Sequence, residues 1–534
     1  MKRSIIIFAF FLSSCAGRDD ATNIFRYNES SGIASLDPAF ARNQSIMWAV
    51  NQLYSTLVEV DENLEIQGHL ARRWIASPDK KTLTFYLRND VRFHDDPCFP
   101  GGKGRLLTAK DVEYSYNRLM DPATASPGAW VFNDRVDRLK PFETIDDTTF
   151  ILRLSKPFPP MLGILSMKYC SVIPREAVEY YKSDFRKRPV GTGPFRFHVW
   201  DEGQVLLLKR NEHYFLKDPG GTALPYLDGI KISFFDSKAT EFVEFRQGRL
   251  DFINDIEASF KDEVLTRTGK LKSKWEGKIR LNKHPYLNTE YLGILNAGHS
   301  LMSNSPLREK RIRQAINYAI DRKKMMMYLR NSIGTAAGSG FIPAGLPSFN
   351  EQLKGYDFDP ERARKLLQES GYNNEEIILH TIPQYANLAT FIANDLRNIG
   401  INLKVEAVQK SVLLDLTSRS ASQFFRGSWI ADYPDAENYL SVFYGRNPAP
   451  PNYTRYNNPD YDRLYEEALE ELDDQKRYAL YRSMDSMIIQ DAYVVPLWYD
   501  MVIHLVQPGI SGFQPNSLNM LELRTAKRLL PPGD

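Results

Sequence analysis

The chain has 534 residues, too many for one hydrophobic core, so two or three domains are expected. Its hydrophobic content of 43% and charged content of 25% are those of an ordinary globular protein. The 68 Lys and Arg nearly balance the 66 Asp and Glu, and this argues against nucleic-acid binding, which draws its affinity mainly from basic charge.

Met1-Lys2-Arg3 is followed by an apolar run from Ile5 to Leu12, the pattern of a secretory signal peptide. The run is too short to span a bilayer, and no later stretch approaches the necessary length. Leu12-Ser13-Ser14-Cys15 resembles a bacterial lipobox, which implies cleavage before Cys15 and diacylation of its thiol. The alternative is an ordinary signal peptide with an incidental Cys. The small, polar residues 16–23 suit a tether between lipid and fold. Export would also permit a disulfide between the two remaining cysteines, Cys98 and Cys170.

Thr82 to Leu87 alternates and predicts a half-buried strand. Thr108, with Asp111 three residues on, is a capping box that opens a helix through Met120; Asp121-Pro122 ends it. Phe150 to Leu154, Val205 to Lys209 and Ile230 to Phe234 read as strands. A short helix from Thr240 to Gly248 precedes a strand at Leu250 to Ile253.

Ser305-Pro306 is a favourable helix start, and Ile312, Ala315, Ile316, Ala319 and Ile320 form its buried stripe. A second helix starts at Asp359-Pro360 and stops at Gly371. From Ile377 the chain alternates strand, helix, strand, helix and strand, the last from Phe424 to Ile430, which predicts a mostly parallel sheet with helices on both faces. Asn458 to Ile489 is helical with a break near Asp473-Asp474, and Val494 to Val506 returns as a strand. The chain thus leaves one lobe, builds a second over about 290–500 and comes back. Two crossings make a hinge, with ligands held in the cleft between lobes.

Signals for catalysis are weak. His94-Asp95-Asp96 with Cys98 looks metal-like but lacks the spacing of a zinc motif. Gly101-Gly102-Lys103-Gly104 lacks P-loop spacing, and no nucleophile elbow occurs. No enzyme activity, metal or cofactor is expected.

An ordered set of segments is more informative. It includes Leu36-Asp37-Pro38, Leu70-Ala71-Arg72-Arg73-Trp74, Leu107-Thr108-Ala109-Lys110-Asp111, Pro189-Val190-Gly191-Thr192-Gly193-Pro194-Phe195, Arg311-Ile312-Arg313-Gln314-Ala315 and Trp429-Ile430-Ala431-Asp432-Tyr433-Pro434-Asp435. Together they resemble the bacterial extracellular solute-binding proteins of family 5, from Asn28 to about Phe513. Residues 96–105 are an insertion against that pattern.

The resemblance implies an α/β fold like that of periplasmic binding proteins (type II, cluster C), with two lobes, a hinge and an extra subdomain in the first lobe. The implied division is signal peptide 1–14, lipidated tether 15–23, first-lobe core 24–57 with 188–288 and 505–534, extra subdomain 58–187 and second lobe 289–504. It further implies a monomer at the periplasm or cell surface. Such a protein is lipid-anchored to a membrane and hands peptides to the permease and ATPase subunits of an ABC importer.

Asp432 matches the family's carboxylate that pairs with a peptide's α-amino group, the alternative being a solvated loop aspartate, with Asp435 as the fallback. Arg426 matches an arginine that meets the ligand carboxylate in some members, the alternative being a structural salt bridge. Gly427, Ser428 and Trp429 would offer main-chain groups to an extended ligand, Gly427 by permitting close approach, the alternative for Trp429 being a place in the core. Trp130, Trp498 and Tyr499 are candidates for the cleft wall. Non-peptide solutes such as an oligosaccharide, an opine or a metal chelate, and a receptor role without transport, remain as alternatives.

Overall fold

The computed structural model describes residues 23–513 and 516–529, apart from the side chains of Ala258 and Ser259. Cys15, the signal peptide and almost all of the tether lie outside the described residues.

Local sequence signals set most of the elements. Thr108 and Asp111 close a capping box, and the helix runs Ala109–Met120 as expected. The Asp359 side chain accepts from the Arg362 N–H, opening Pro360–Glu369. Asp473 caps Asp474–Asp491 and so divides it from Pro459–Glu470. Ser305 behaves differently from the expectation. It caps only a 3-10 turn, Pro306–Arg308, because Glu309 is extended; the α-helix starts at Lys310 and buries Ile312, Ala315, Ile316 and Ala319.

Among the described residues the main sheet has eleven strands and runs through both lobes. In the first lobe Ile24–Asn28 lies between Gly229–Ser233 and Phe252–Asn254, parallel to both. In the second, Ile377–Thr381 is parallel to Leu403–Ala407 and to Phe424–Ile430. The sheet is mixed rather than mostly parallel, because Phe424–Ile430 then pairs antiparallel with a long strand, Arg280–Ile294.

That strand and Val494–Val506 are the two crossings between lobes. Arg280 to Pro285 pairs with Met501 to Val506 on the first-lobe side, and Thr289 to Gly293 pairs with Val494 to Tyr499 on the other. The register shifts between Pro285 and Thr289. Such an irregularity bends a strand, and it places the pivot at Tyr286 to Asn288.

A separate four-stranded antiparallel sheet holds Ala71–Ala76, Thr82–Leu87, Thr149–Arg153 and Phe142–Asp146. It shares one continuous core with the first-lobe sheet, in which Phe25, Trp48, Phe85, Tyr116 and Phe150 are buried. Gly191 and Gly193 belong to this body. A Cβ on Gly191 would stand 2.1 Å from the Leu53 carbonyl oxygen, so only glycine admits that approach. His94 is buried beside them, with Nε2 3.0 Å from the Gly193 oxygen. Its role is therefore to hold this loop, and the described residues contain no group of side chains able to bind a metal.

Cys98 and Cys170 are both free, contrary to the disulfide considered above. The Cys170 thiol points at the Ile164 carbonyl 3.5 Å away, and Cys98 lies in the inserted loop against Asp96. Burial pushes both thiols well above the ordinary range.

Candidate ligand cleft

The strand Phe424–Ile430 has two different edges. One is paired along its whole length with Arg280–Ile294. The other meets a strand only at its beginning, where Phe425 faces His380. Gly427, Ser428, Trp429 and Ile430 therefore have no strand neighbour on that side among the described residues. An edge of this kind leaves main-chain donors and acceptors available to an added strand.

Asp432 stands just beyond the end of that edge. Asn438 fixes the turn: its Oδ1 accepts from the Trp429 indole at 3.0 Å and from the Asp432 N–H at 3.2 Å, and its Nδ2 donates to Asp432 Oδ2 at 3.3 Å. Asp432 is exposed to solvent, yet the surrounding protein crowds its carboxylate. Burial pushes its pKa up and Glu437 adds to this, against the Asn438 hydrogen bond and the Arg135 charge. It makes no ion pair among the described residues. Asp435 is committed elsewhere: it accepts from the Glu437 N–H at 2.9 Å and lies 3.8 Å from Arg477.

The opposite wall comes from the first lobe. Gly163 packs on the Tyr433-Pro434 pair, where a Cβ would be 3.4 Å from the proline ring, and Tyr433 is buried in the first lobe's core. Tyr169 lies close enough for the Asp432 charge to help burial push its phenol up to about 12. Between Trp130, Arg135 and Phe158 on this side and Glu437, Tyr444 and Tyr465 on the other opens a cavity of about 660 Å³. Trp130 thus lies on a cavity wall shared by the lobes.

Four expectations change. Arg426 is engaged by Glu290, and its guanidinium lies 3.6 Å from the Tyr385 ring centroid, so it takes the structural alternative. Trp498 is only 2% exposed, packed in the second lobe's core with the Arg330 guanidinium 4.8 Å from its ring. Tyr499 is also buried and donates its hydroxyl proton to the Gly340 carbonyl at 2.7 Å. Neither side chain forms the cleft wall. Gly427 does serve close approach, but to a side chain of the same protein: a Cβ there would be 2.7 Å from Cζ of Tyr291.

A polar network at the pivot was not foreseen. Glu290 is 3% exposed, and burial pushes its pKa up while Asp500 adds to the shift and the Arg426 guanidinium opposes it. Arg330 donates to Asp500 at 2.6 Å, and Asn288 reaches the other Asp500 oxygen at 3.3 Å. Leu287 links three parts of the chain by its backbone. Its N–H donates to the Ser517 carbonyl at 2.9 Å, and its carbonyl accepts from the Ala431 N–H at 2.9 Å.

Two lobes joined by a pair of crossing strands define the architecture of a two-lobed solute-binding protein. The family model for "Bacterial extracellular solute-binding proteins, family 5 Middle" matches residues 65–451, and the chain belongs to that family. It is 26% identical over 522 residues to "Heme-binding protein A" of Haemophilus influenzae, spanning 93% of this chain and 90% of the relative. It is 25% identical over 520 residues to the periplasmic oligopeptide-binding protein OppA of Salmonella typhimurium, spanning 91% and 89%. The solved structure of HbpA2 from Haemophilus parasuis superposes with a TM-score of 0.82 at 24% identity, covering 95% of this chain and all of the other.

Proposed function

We infer that the protein captures peptides in the interlobe cleft and delivers them to the permease and ATPase subunits of an ABC importer. The observation that carries this reading is the open edge of Gly427 to Ile430 ending at an unpaired carboxylate, Asp432. An extended peptide added to that edge is held by its main chain, and its terminal ammonium meets Asp432. Main-chain pairing supplies affinity without requiring a particular sequence. Once the cleft closes and excludes water from this carboxylate, an ammonium answers the cost of its charge.

The oligopeptide-binding relative supports the same class of ligand. The protein acts as a monomer without catalysis. It works outside the cytoplasm, held at the membrane by lipid on Cys15 in the Leu12-Ser13-Ser14-Cys15 motif.

Native mass spectrometry of the protein purified from its own cells tests this. Co-purified peptides of a restricted length range are expected, and a single non-peptide mass would overturn the reading.

A further inference from the structure

The displacement of Arg426 from ligand binding leaves the cleft's positive charge to be found elsewhere. It is on the first-lobe wall. Arg135 donates Nη1 to the Trp130 carbonyl at 2.6 Å, and its guanidinium lies 5.4 Å from the Trp130 ring centroid and 5.1 Å from that of Phe158. The group is held in one orientation, yet makes no ion pair among the described residues. Nε and Nη2 have no acceptor there either. It lines the cavity of about 660 Å³ whose other wall includes Glu437, five residues beyond Asp432, and its charge acts on the Asp432 carboxylate.

The other charges around this cavity sharpen the point. Both oxygens of Glu437 accept phenolic protons, from Tyr433 and from Tyr465. Glu466 is taken by Tyr444 and by Arg446. Asp134 and Glu470 are exposed at the rim, as is Lys156. Among the described residues that line the cavity, the half-buried, oriented and uncommitted charge is the Arg135 guanidinium, and a guanidinium fork fits a carboxylate.

We propose that Arg135 selects the ligand's first residue, by receiving a carboxylate carried next to the ammonium that Asp432 holds. The inference rests on the ammonium reading of Asp432. A ligand with an ammonium alone brings a like charge toward Arg135, whereas one with both charges satisfies each wall. Two kinds of ligand present that head group: a peptide beginning with Asp or Glu, and a peptide whose first residue is linked through its side chain and keeps its α-carboxylate free.

The test is competition, read by native mass spectrometry, among peptides of two to five residues that share an alanine body. Their first residue is alanine, lysine, α-linked glutamate or γ-linked glutamate. One of the two glutamate sets is expected to occupy the protein at least tenfold over the alanine set, and which one wins identifies the source of the carboxylate. In Arg135→Gln the preference should fall to near unity, and Arg135→Lys should restore part of it. Melting temperatures of the variants verify that they fold. Equal occupancy in the unaltered protein, or a preference that survives Arg135→Gln, overturns this proposal alone. Retention of no peptide overturns it together with the peptide reading.

Discussion

Arg426 and Glu290 face each other from adjacent strands, 136 positions apart in sequence, and form an ion pair that is nearly closed to solvent. Breaking such a pair from one side leaves an uncompensated buried charge, whereas replacing both partners removes the demand. Arg426→Met should therefore cost about 3–5 kcal/mol of stability. Glu290→Gln combined with Arg426→Met should recover most of that loss. Urea unfolding of the two single variants and the double variant measures the cycle. Equal destabilisation in the single and double variants would contradict the assignment.

Asp432 carries a different expectation. Asp432→Asn keeps the Asn438 contact and removes the charge. Peptide affinity should fall by about 2–5 kcal/mol, the usual result of truncating one side of an enclosed charge pair. Calorimetry with any peptide found on the purified protein reads this directly. An unchanged dissociation constant would move the ammonium site elsewhere.

Asp485 predicts a pH effect. It is 1% exposed, it accepts from the Phe341 N–H at 2.7 Å, and burial pushes its pKa up to about 7. An unfolded Asp releases its proton near pH 4. Between roughly pH 4 and 7 the folded chain therefore holds a proton that the unfolded chain has lost, and stability falls as pH rises. Asp435, pushed up to about 6, contributes in the same direction. Asp485→Asn should flatten the dependence without abolishing it. Urea midpoints at pH 5 and pH 8 provide the comparison, and an unchanged slope in the variant would refute it.

The cysteines give a simple chemical check. Alkylation of the denatured protein without reductant should label both Cys98 and Cys170, as two free thiols require. Failure of both to react before reduction would show that they are bonded.

Much of the fold was legible because local signals agreed with it. Val494–Val506 and Phe424–Ile430 match their sequence readings end to end. The partner strand Arg280–Ile294 was not read. Pro285 interrupts it, Asn282, Lys283 and His284 break the alternation, and Asn288, Thr289 and Glu290 are polar although buried. They are buried because they meet partners from distant segments, which no local pattern records. The same limit hid the occupation of Arg426 by Glu290 and the use of Gly427 by Tyr291. Asn438 was missed for another reason. A lone Asn six residues after Asp432 carries no motif, and only the fold of the turn makes it the common partner of Trp429 and Asp432.

Leu287 has a mechanical consequence. Through its two backbone hydrogen bonds the residue just before Asp432 hangs from the axle of the molecule, and the axle is strapped to the C-terminal segment at Ser517. A point near an axle travels little when the arms swing. Rotation of the lobes would then leave the Asp432 turn almost stationary.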